Sequence, residues 1–203
     1  MDKGIIKIID YDAGNAPSVW HAVTETGYRA ELCATPEGLK NAAGIILPGV
    51  GSAGATMCSL QKSGMTDALK EEVLRKKTPF LGVCVGMQIL FEHSEEDDAG
   101  CFGWLKGRVK KFDSGLMRVP QMGWNHVRFK EKEIPPVSSD DYFYFVNSYY
   151  AVPADARDVW GEAEYGGVFT AAVRRGNIHG TQFHIEKSGA SGLKLLKGFL
   201  SLC

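Results

Sequence analysis

The sequence predicts an α/β fold in three layers: a mostly parallel central sheet, helices on both faces, and an antiparallel β extension in the second half. Three observations carry this reading. Up to about Asp97, short β-type runs alternate with stretches of helical spacing. From Cys101 to Arg174, β-type runs follow one another directly, separated by Gly- and Pro-rich turns. The chain then returns to one strand and one closing helix. A length of 203 residues suits a single domain, 1–203, with a full core and no need of covalent staples.

Taken in order, Gly4 to Tyr11 is β-branched and apolar and reads as the first strand, closed by turn residues at 12–15. Ser18 to Thr26 reads as a short helix ending at Gly27. Tyr28 to Cys33 is a second strand, and Thr35-Pro36 starts a helix with proline at its first position. Gly44 to Leu47 is a third strand. Ala55 to Lys77 has helical spacing, divided at Gly64, and Phe80 to Val83 is a fourth, buried strand followed by helical spacing through Met87, Ile89, Leu90 and Phe91. The second half offers β runs at Gly107–Phe112, Asn125–Phe129, Tyr142–Tyr150, Val159–Tyr165 and Val168–Arg174, with turns at Pro120–Gly123 and at 134–136. Ile178 to His184 is the last strand. Ser188 to Leu202 closes as a helix whose Leu193, Leu196 and Leu200 recur at three- and four-residue steps. No internal repeat, low-complexity tract or linker interrupts this order.

The stretch with the most chemistry is Gly82-Val83-Cys84-Val85-Gly86. Glycines two residues either side of a nucleophile mark a sharp strand-to-helix elbow, where a Cβ at either flanking position would clash. Such a turn lifts the sulfur above the sheet edge and sets it at a helix N-terminus, which favours thiolate. The plainer alternative is a buried cysteine between two turn glycines. A nucleophilic cysteine needs a base, and the base needs an orienting group. Of the five histidines, His21 lies in the first helix, His93 ends the helix after the elbow, where it would meet the helix dipole, and His126 lies in a strand. His179 and His184 share one strand on opposite faces. His184 ends that strand, as Cys84 ends another, and functional groups of open α/β sheets gather outside strand carboxyl ends. Alternation by two puts Glu186 on the same side as His184, able to fix its tautomer; otherwise the pair is a surface histidine and a first-turn glutamate.

Gly49-Val50-Gly51-Ser52-Ala53-Gly54 matches a dinucleotide-binding pattern, but it follows the third strand and lacks an acidic partner about twenty residues on. A better physical use is a glycine-lined backbone whose N–H groups turn toward a developing oxyanion, provided the loop lies opposite Cys84.

Bulk properties exclude several classes. A net charge of −1 gives no basic footprint for nucleic acid, and runs such as Arg75-Lys76-Lys77 read as solvated faces. Five scattered cysteines without CxxC or Cys/His spacing indicate neither a disulfide framework nor a metal site. The N-terminus lacks a signal-peptide layout and no stretch could span a membrane, so the chain reads as cytoplasmic.

Gly82 to Gln88, with Gln182-Phe183-His184-Ile185-Glu186-Lys187-Ser188, resembles the triad (class I) glutamine amidotransferases, which have a flavodoxin-like three-layer fold. Pro48-Gly49-Val50-Gly51, Ser94-Glu95-Glu96, Met122-Gly123-Trp124-Asn125 and Tyr144 to Tyr149 narrow the resemblance to the glutaminase subunits of imidazole glycerol phosphate synthases, from about Ile5 to Leu200. The resemblance implies that Cys84 attacks the side-chain amide of L-glutamine, His184 shuttles the proton and Glu186 holds the imidazole. It implies oxyanion donors at Val85 and in Gly49, Val50 and Gly51. It assigns the amino-acid end of glutamine to Gly51, Gln88, Glu96, Ser148 and Tyr149. Ammonia would pass to a (β/α)8-barrel cyclase subunit that makes imidazole glycerol phosphate and AICAR in histidine biosynthesis, with Asn15, Trp124 and Lys187 at or near that heterodimer contact. Read without the resemblance, those three are a turn residue, a core aromatic and a solvated lysine. No cofactor and no metal is implied.

Three positions depart from the family's usual pattern. Ile185 stands in place of a proline, and its β-branched side chain also favours an extended backbone before the glutamate. Gln121 and Asn147 stand where histidines are common. Three other readings are open: a paralogous glutaminase feeding another synthase, such as one for surface-polysaccharide amidination; a cysteine peptidase or thiol-stress protein; and a non-catalytic partner that stabilises a cyclase.

Overall fold

A computed structural model describes residues 4–11, 15–130 and 141–203. The turns expected at 12–14 and 134–136 lie outside the described residues. The first half follows the expected alternation: β1 (Ile5–Ile9), α1 (Ala16–Glu25), β2 (Ala30–Cys33), β3 (Ala42–Leu47), α2 (Ala53–Lys62), α3 (Met65–Lys70), β4 (Phe80–Val83) and α4 (Val85–Gln88). Thr35-Pro36 opens only a single 3-10 turn, Pro36–Leu39. Gly64 does divide the long helical stretch, adopting φ 72° ahead of α3, a left-handed turn that costs glycine little. A π-helical turn, Glu71–Arg75, finishes that stretch.

The strands pair in the order β2-β1-β3-β4, all parallel. Right-handed crossovers from β1 leftward to β2 and from β3 rightward to β4 place α1 and α2–α3 on opposite faces of the sheet. A strand covered on both faces must be apolar throughout, and Phe80 to Val83 are all buried, as are Ile45, Ile46 and Leu47. Each such side chain contributes roughly 1.5–3 kcal/mol of burial.

The helical spacing after Cys84 yields only the one turn of α4. Past Phe91 come β5 (His93–Ser94) and β6 (Ala99–Gly100), so His93 is a strand residue and not a helix end; its Nε2 lies 2.9 Å from Asp98 Oδ1. The antiparallel extension comprises β7 (Gly107–Lys111), β8 (Gln121–His126), β9 (Arg128–Phe129), β10 (Tyr142–Asn147), β11 (Tyr149–Pro153), β12 (Val159–Glu164) and β13 (Val168–Arg175). Three expectations need correcting. The run Asn125–Phe129 is broken at Val127, with β8 pairing with β10 and β9 with β12. The run Tyr142–Tyr150 is two strands, broken at Ser148: β10 pairs with β8 in a separate two-stranded sheet, whereas β11 pairs with β7 and β13. Gln121 to Gly123, expected as a turn, are the first residues of β8, because each finds a partner on β10.

β14 (Ile178–Thr181) then inserts parallel to β4 and antiparallel to β13, joining the two halves of a twelve-stranded sheet, and α5 (Gly189–Leu200) covers it. Among the described residues no helix is long and apolar enough to cross a membrane.

Candidate active site

Cys84 sits between β4 and α4 with φ 56° and ψ −111°, a conformation that costs a residue with a Cβ of order 1–3 kcal/mol. Its surroundings impose that turn. The Cys84 N–H donates to Thr181 O on β14 at 2.7 Å, while Met87 and Gln88 donate back to Cys84 O at 3.0 and 3.1 Å. A Cβ on Gly82 would fall onto the Gly86 carbonyl, and a Cβ on Gly86 onto the Leu47 carbonyl. Both flanking glycines are therefore required, as the spacing predicts. The side chain of Gln182, fully buried, donates from Nε2 to the Cys84 sulfur at 3.7 Å and accepts from Gln88 Nε2 at 3.0 Å.

His184 lies beyond the end of β14, in an extended conformation (φ −82°, ψ 101°) that leads into a 3-10 turn, Ile185–Lys187. That turn, and not strand alternation, brings Glu186 beside it. His184 Nδ1 and Glu186 Oε1 are 2.8 Å apart, and both side chains are buried. The segment is pinned to β10: His184 N–H donates to Tyr144 O at 2.9 Å, and the Ser188 hydroxyl accepts from Tyr144 N–H while donating to His184 O. Burial alone would depress the imidazole, but its interactions with the Cys84 sulfur and the Glu186 carboxylate prevail and raise it to about 10. For Glu186 burial again opposes charge, and the hydrogen bonds from His184 and Asn15 outweigh it, holding the carboxyl below its ordinary value. Both partners therefore favour the charged form of the ring.

The glycine loop does face the elbow. A Cβ on Gly49 would come within 2.7 Å of Gly86 N and 2.8 Å of Val85 Cβ, so only glycine permits this approach. Gly51 adopts φ 95°. Ser52 caps α2 through its hydroxyl, which accepts from Ala55 N–H, and Glu96 Oε2 accepts from Ala53 N–H at 2.9 Å.

A cleft of about 310 Å³ joins these parts, lined by Val50, Gly51, Cys84, Val85, Gln88, Glu96, Ser148, Tyr149, His184 and Lys187, with Pro120, Val146 and Asn147. Gln88 spends its amide N–H groups on Tyr149 O and Gln182. Glu96 is pushed up by burial, against the lowering bond from Ala53, with Asp97 adding to the rise. Gln121 and Asn147 are buried amides opposite each other on β8 and β10. A larger hollow of about 600 Å³ lies at the other end of β13 and β14, around Arg174 to Gly176, where Arg157–Asp155 and Arg175–Asp158 ion pairs occupy its rim. It contains no nucleophile, so the smaller cleft is the chemical site. Among the described residues no three His, Cys, Asp or Glu side chains converge to hold a metal.

Asn15 and Trp124 fall outside the cleft. Asn15 is buried at the start of α1 and donates from Nδ2 to Glu186 Oε1 at 2.9 Å. Trp124 is 56% exposed, not a core aromatic, and its ring meets Tyr144 edge-on. Two residues of the site escape the sequence reading: Gln182, which only its place two residues before His184 could have flagged, and Tyr11, whose hydroxyl reaches the Pro48 carbonyl.

The model of the class-I glutamine amidotransferase family matches residues 7–202. An imidazole glycerol phosphate synthase subunit HisH of Leptospira interrogans is 44% identical over 98% of this chain and 100% of its own. A subunit named HisH 2, of Pseudomonas aeruginosa, is 41% identical over 98% of this chain and 100% of its own. Among solved structures, a crystal structure of glutamine amidotransferase superposes with a TM-score of 0.78 at 19% identity over 98% of both chains, a likeness of fold.

Proposed function

The chain belongs to the class-I glutamine amidotransferases, among the HisH subunits of imidazole glycerol phosphate synthase, and from that premise we propose how its site works and what it serves. The 203 residues act as one glutaminase domain in the cytoplasm. Cys84 Sγ attacks the side-chain amide carbon of L-glutamine, giving a tetrahedral oxyanion. His184, already protonated, delivers its proton to the departing nitrogen, and ammonia leaves a glutamyl thioester. The imidazole, now neutral, takes a proton from water as the hydroxyl attacks; glutamate leaves, the sulfur is freed and His184 is an imidazolium again. Glu186 keeps the ring oriented throughout. The Val85 N–H and the backbone of Gly49, Val50 and Gly51 receive the oxyanion. Gly51, Gln88, Glu96, Ser148 and Tyr149 hold the amino-acid end, with the Glu96 carboxylate suited to the ammonium.

The observation that carries this reading is the strained Cys84 elbow sharing a cleft with a His184–Glu186 pair at 2.8 Å. The ammonia serves a (β/α)8-barrel cyclase subunit that forms imidazole glycerol phosphate and AICAR. Support for a docked partner comes from the outer face of β8, where Met122 and Trp124 are 67% and 56% exposed beside the cleft, and Lys187 is exposed at its rim. Cys84→Ala in the complex should abolish synthesis from glutamine and spare synthesis from added ammonia. Loss of both would make Cys84 structural.

One observation favours a second reading. Two relatives carry the name HisH 2, from Methanococcus maripaludis and Pseudomonas aeruginosa, and this chain departs from the usual pattern at Gln121, Asn147 and Ile185. In that reading the ammonia feeds another synthase. Strong stimulation of glutamine hydrolysis by the histidine-pathway cyclase rules it out.

A further inference from the structure

The glycine loop can bind an oxyanion only if its peptides stand still at the right distance from Cys84, and glycines by themselves supply no such rigidity. Backbone at Gly49 and Gly51, either side of Val50, has the widest choice of conformation of any residue type. Something outside the loop must therefore restrain it. At its far end, Ala53 N–H is held by Glu96. At its near end the Pro48 carbonyl accepts from the Tyr11 hydroxyl at 3.0 Å. Proline has no N–H and φ is already fixed, so the orientation of the Pro48–Gly49 peptide is the freedom that remains, and Tyr11 holds that carbonyl. The phenol reaches this place from the end of β1, across the parallel neighbour β3, and its oxygen lies where a Cβ on Gly49 would approach within 3.2 Å.

We propose that Tyr11 is a positioning residue for the oxyanion loop, fixing the Pro48–Gly49 peptide through its hydroxyl while Glu96 fixes the other end. The phenol is suited to the task. It is partly buried against the core, and Thr56, itself buried on α2, shares a hydrogen bond with it, so the hydroxyl has a second partner that sets its direction. Burial pushes its pKa up to about 12, against the lowering effect of Thr56 and with the nearby Cys84 adding to the rise, so it stays a neutral donor across the neutral pH range. Nothing in the amide-hydrolysis chemistry requires a proton from it, and it does not line the cleft. Its hold on the loop is the bond to the Pro48 carbonyl.

This inference rests on the glutaminase reading, and the test separates the two. In Tyr11→Phe the ring and its packing remain and only the hydroxyl is lost. Removing an oxyanion donor outright costs about 100- to 1,000-fold; slackening the loop that carries one should lower kcat for glutamine about tenfold and leave KM within about twofold. Alkylation of Cys84 by iodoacetamide, read by mass spectrometry of the peptide containing it, forms no oxyanion and should proceed at the wild-type rate. The loss should be the same across the neutral pH range, since the phenol does not titrate there. Thr56→Val should show a smaller loss of kcat in the same pattern. An unchanged kcat in Tyr11→Phe, or a fall in kcat matched by a fall in alkylation, overturns the proposal. Wild-type protein that hydrolyses no glutamine with its cyclase present overturns the glutaminase reading instead.

Discussion

Asn15 Nδ2 donates to Glu186 Oε1, the same oxygen that meets His184 Nδ1, although 171 residues separate the two in sequence. The other carboxylate oxygen, Oε2, is buried and finds no hydrogen-bond partner among the described residues. Asn15 and His184 thus share one carboxylate oxygen, and both favour the charged form of Glu186. Asn15→Ala should lower glutaminase kcat about tenfold in the isolated chain, the worth of one hydrogen bond to a buried charge at about 1.5 kcal/mol. A variant whose isolated activity is untouched, and which fails only in the complex, would show that Asn15 serves subunit contact alone.

His179 gives the protein a weak point in acid. Its ring is buried between Trp160 and Phe199. Burial lowers its pKa to about 4, with Arg174 adding to the effect. The folded state thus holds it neutral while the unfolded chain binds a proton, so its contribution is complete above the ordinary histidine value of 6.5 and is lost as pH falls toward 4. His184 acts at the other end: its raised pKa gives stability present below 6.5 and lost as pH rises through about 10. At pH 5 the His179 loss amounts to about 2 kcal/mol. His179→Leu should flatten the urea-midpoint profile between pH 7 and pH 5; an equally steep profile would place the acid sensitivity elsewhere.

Gln182 acts on the sulfur itself. Its Nε2–H points at Cys84 Sγ, and Gln88 holds its oxygen, so the amide cannot turn away. An N–H aimed at sulfur stabilises the charge of the nucleophile. Gln182→Leu keeps the bulk and leaves Gln88 its bond to Tyr149 O. Both kcat and the iodoacetamide rate at Cys84 should fall, each by about tenfold. That joint fall contrasts with the split expected for Tyr11→Phe, and a fall in kcat alone would mean that Gln182 touches substrate and not sulfur.

What could be read in advance follows from how local each signal is. The elbow was legible because its requirement, no Cβ two residues either side of Cys84, is written within five residues. The loop opposite it was legible because β3 and β4 are neighbours and both end at one edge. His184 was read as the last residue of its strand, but β14 stops at Thr181 and His184 follows it in an extended stretch, and Glu186 joins it through a 3-10 turn and not by strand alternation. The break at Ser148 was hidden: β-type residues run unbroken from Tyr142 to Tyr150, and only the choice of different partners, β8 and then β7, divides them. Asn15, Gln182 and Tyr11 were hidden for a related reason. Their roles are hydrogen bonds across 171, 98 and 37 residues, and no periodicity encodes such contacts.

Ile185 tests whether the residue between the histidine and the glutamate matters for its shape or for its backbone. The position opens a helical turn, where proline's fixed φ and missing N–H are well tolerated, and His184 before it is already extended, as a residue preceding proline must be. Ile185 itself is buried, so a smaller ring gives up about 1 kcal/mol of packing, offset by about 0.4–1 kcal/mol from a stiffer unfolded chain. Ile185→Pro should therefore change stability by less than about 1 kcal/mol and leave kcat within about twofold. Ile185→Gly, which removes the side chain and frees the backbone, should lower both the melting temperature and kcat. If proline instead costs tenfold or more in kcat, the turn depends on the Ile185 N–H or on the particular packing of its side chain, and the extended backbone at His184 is not enough to set the triad.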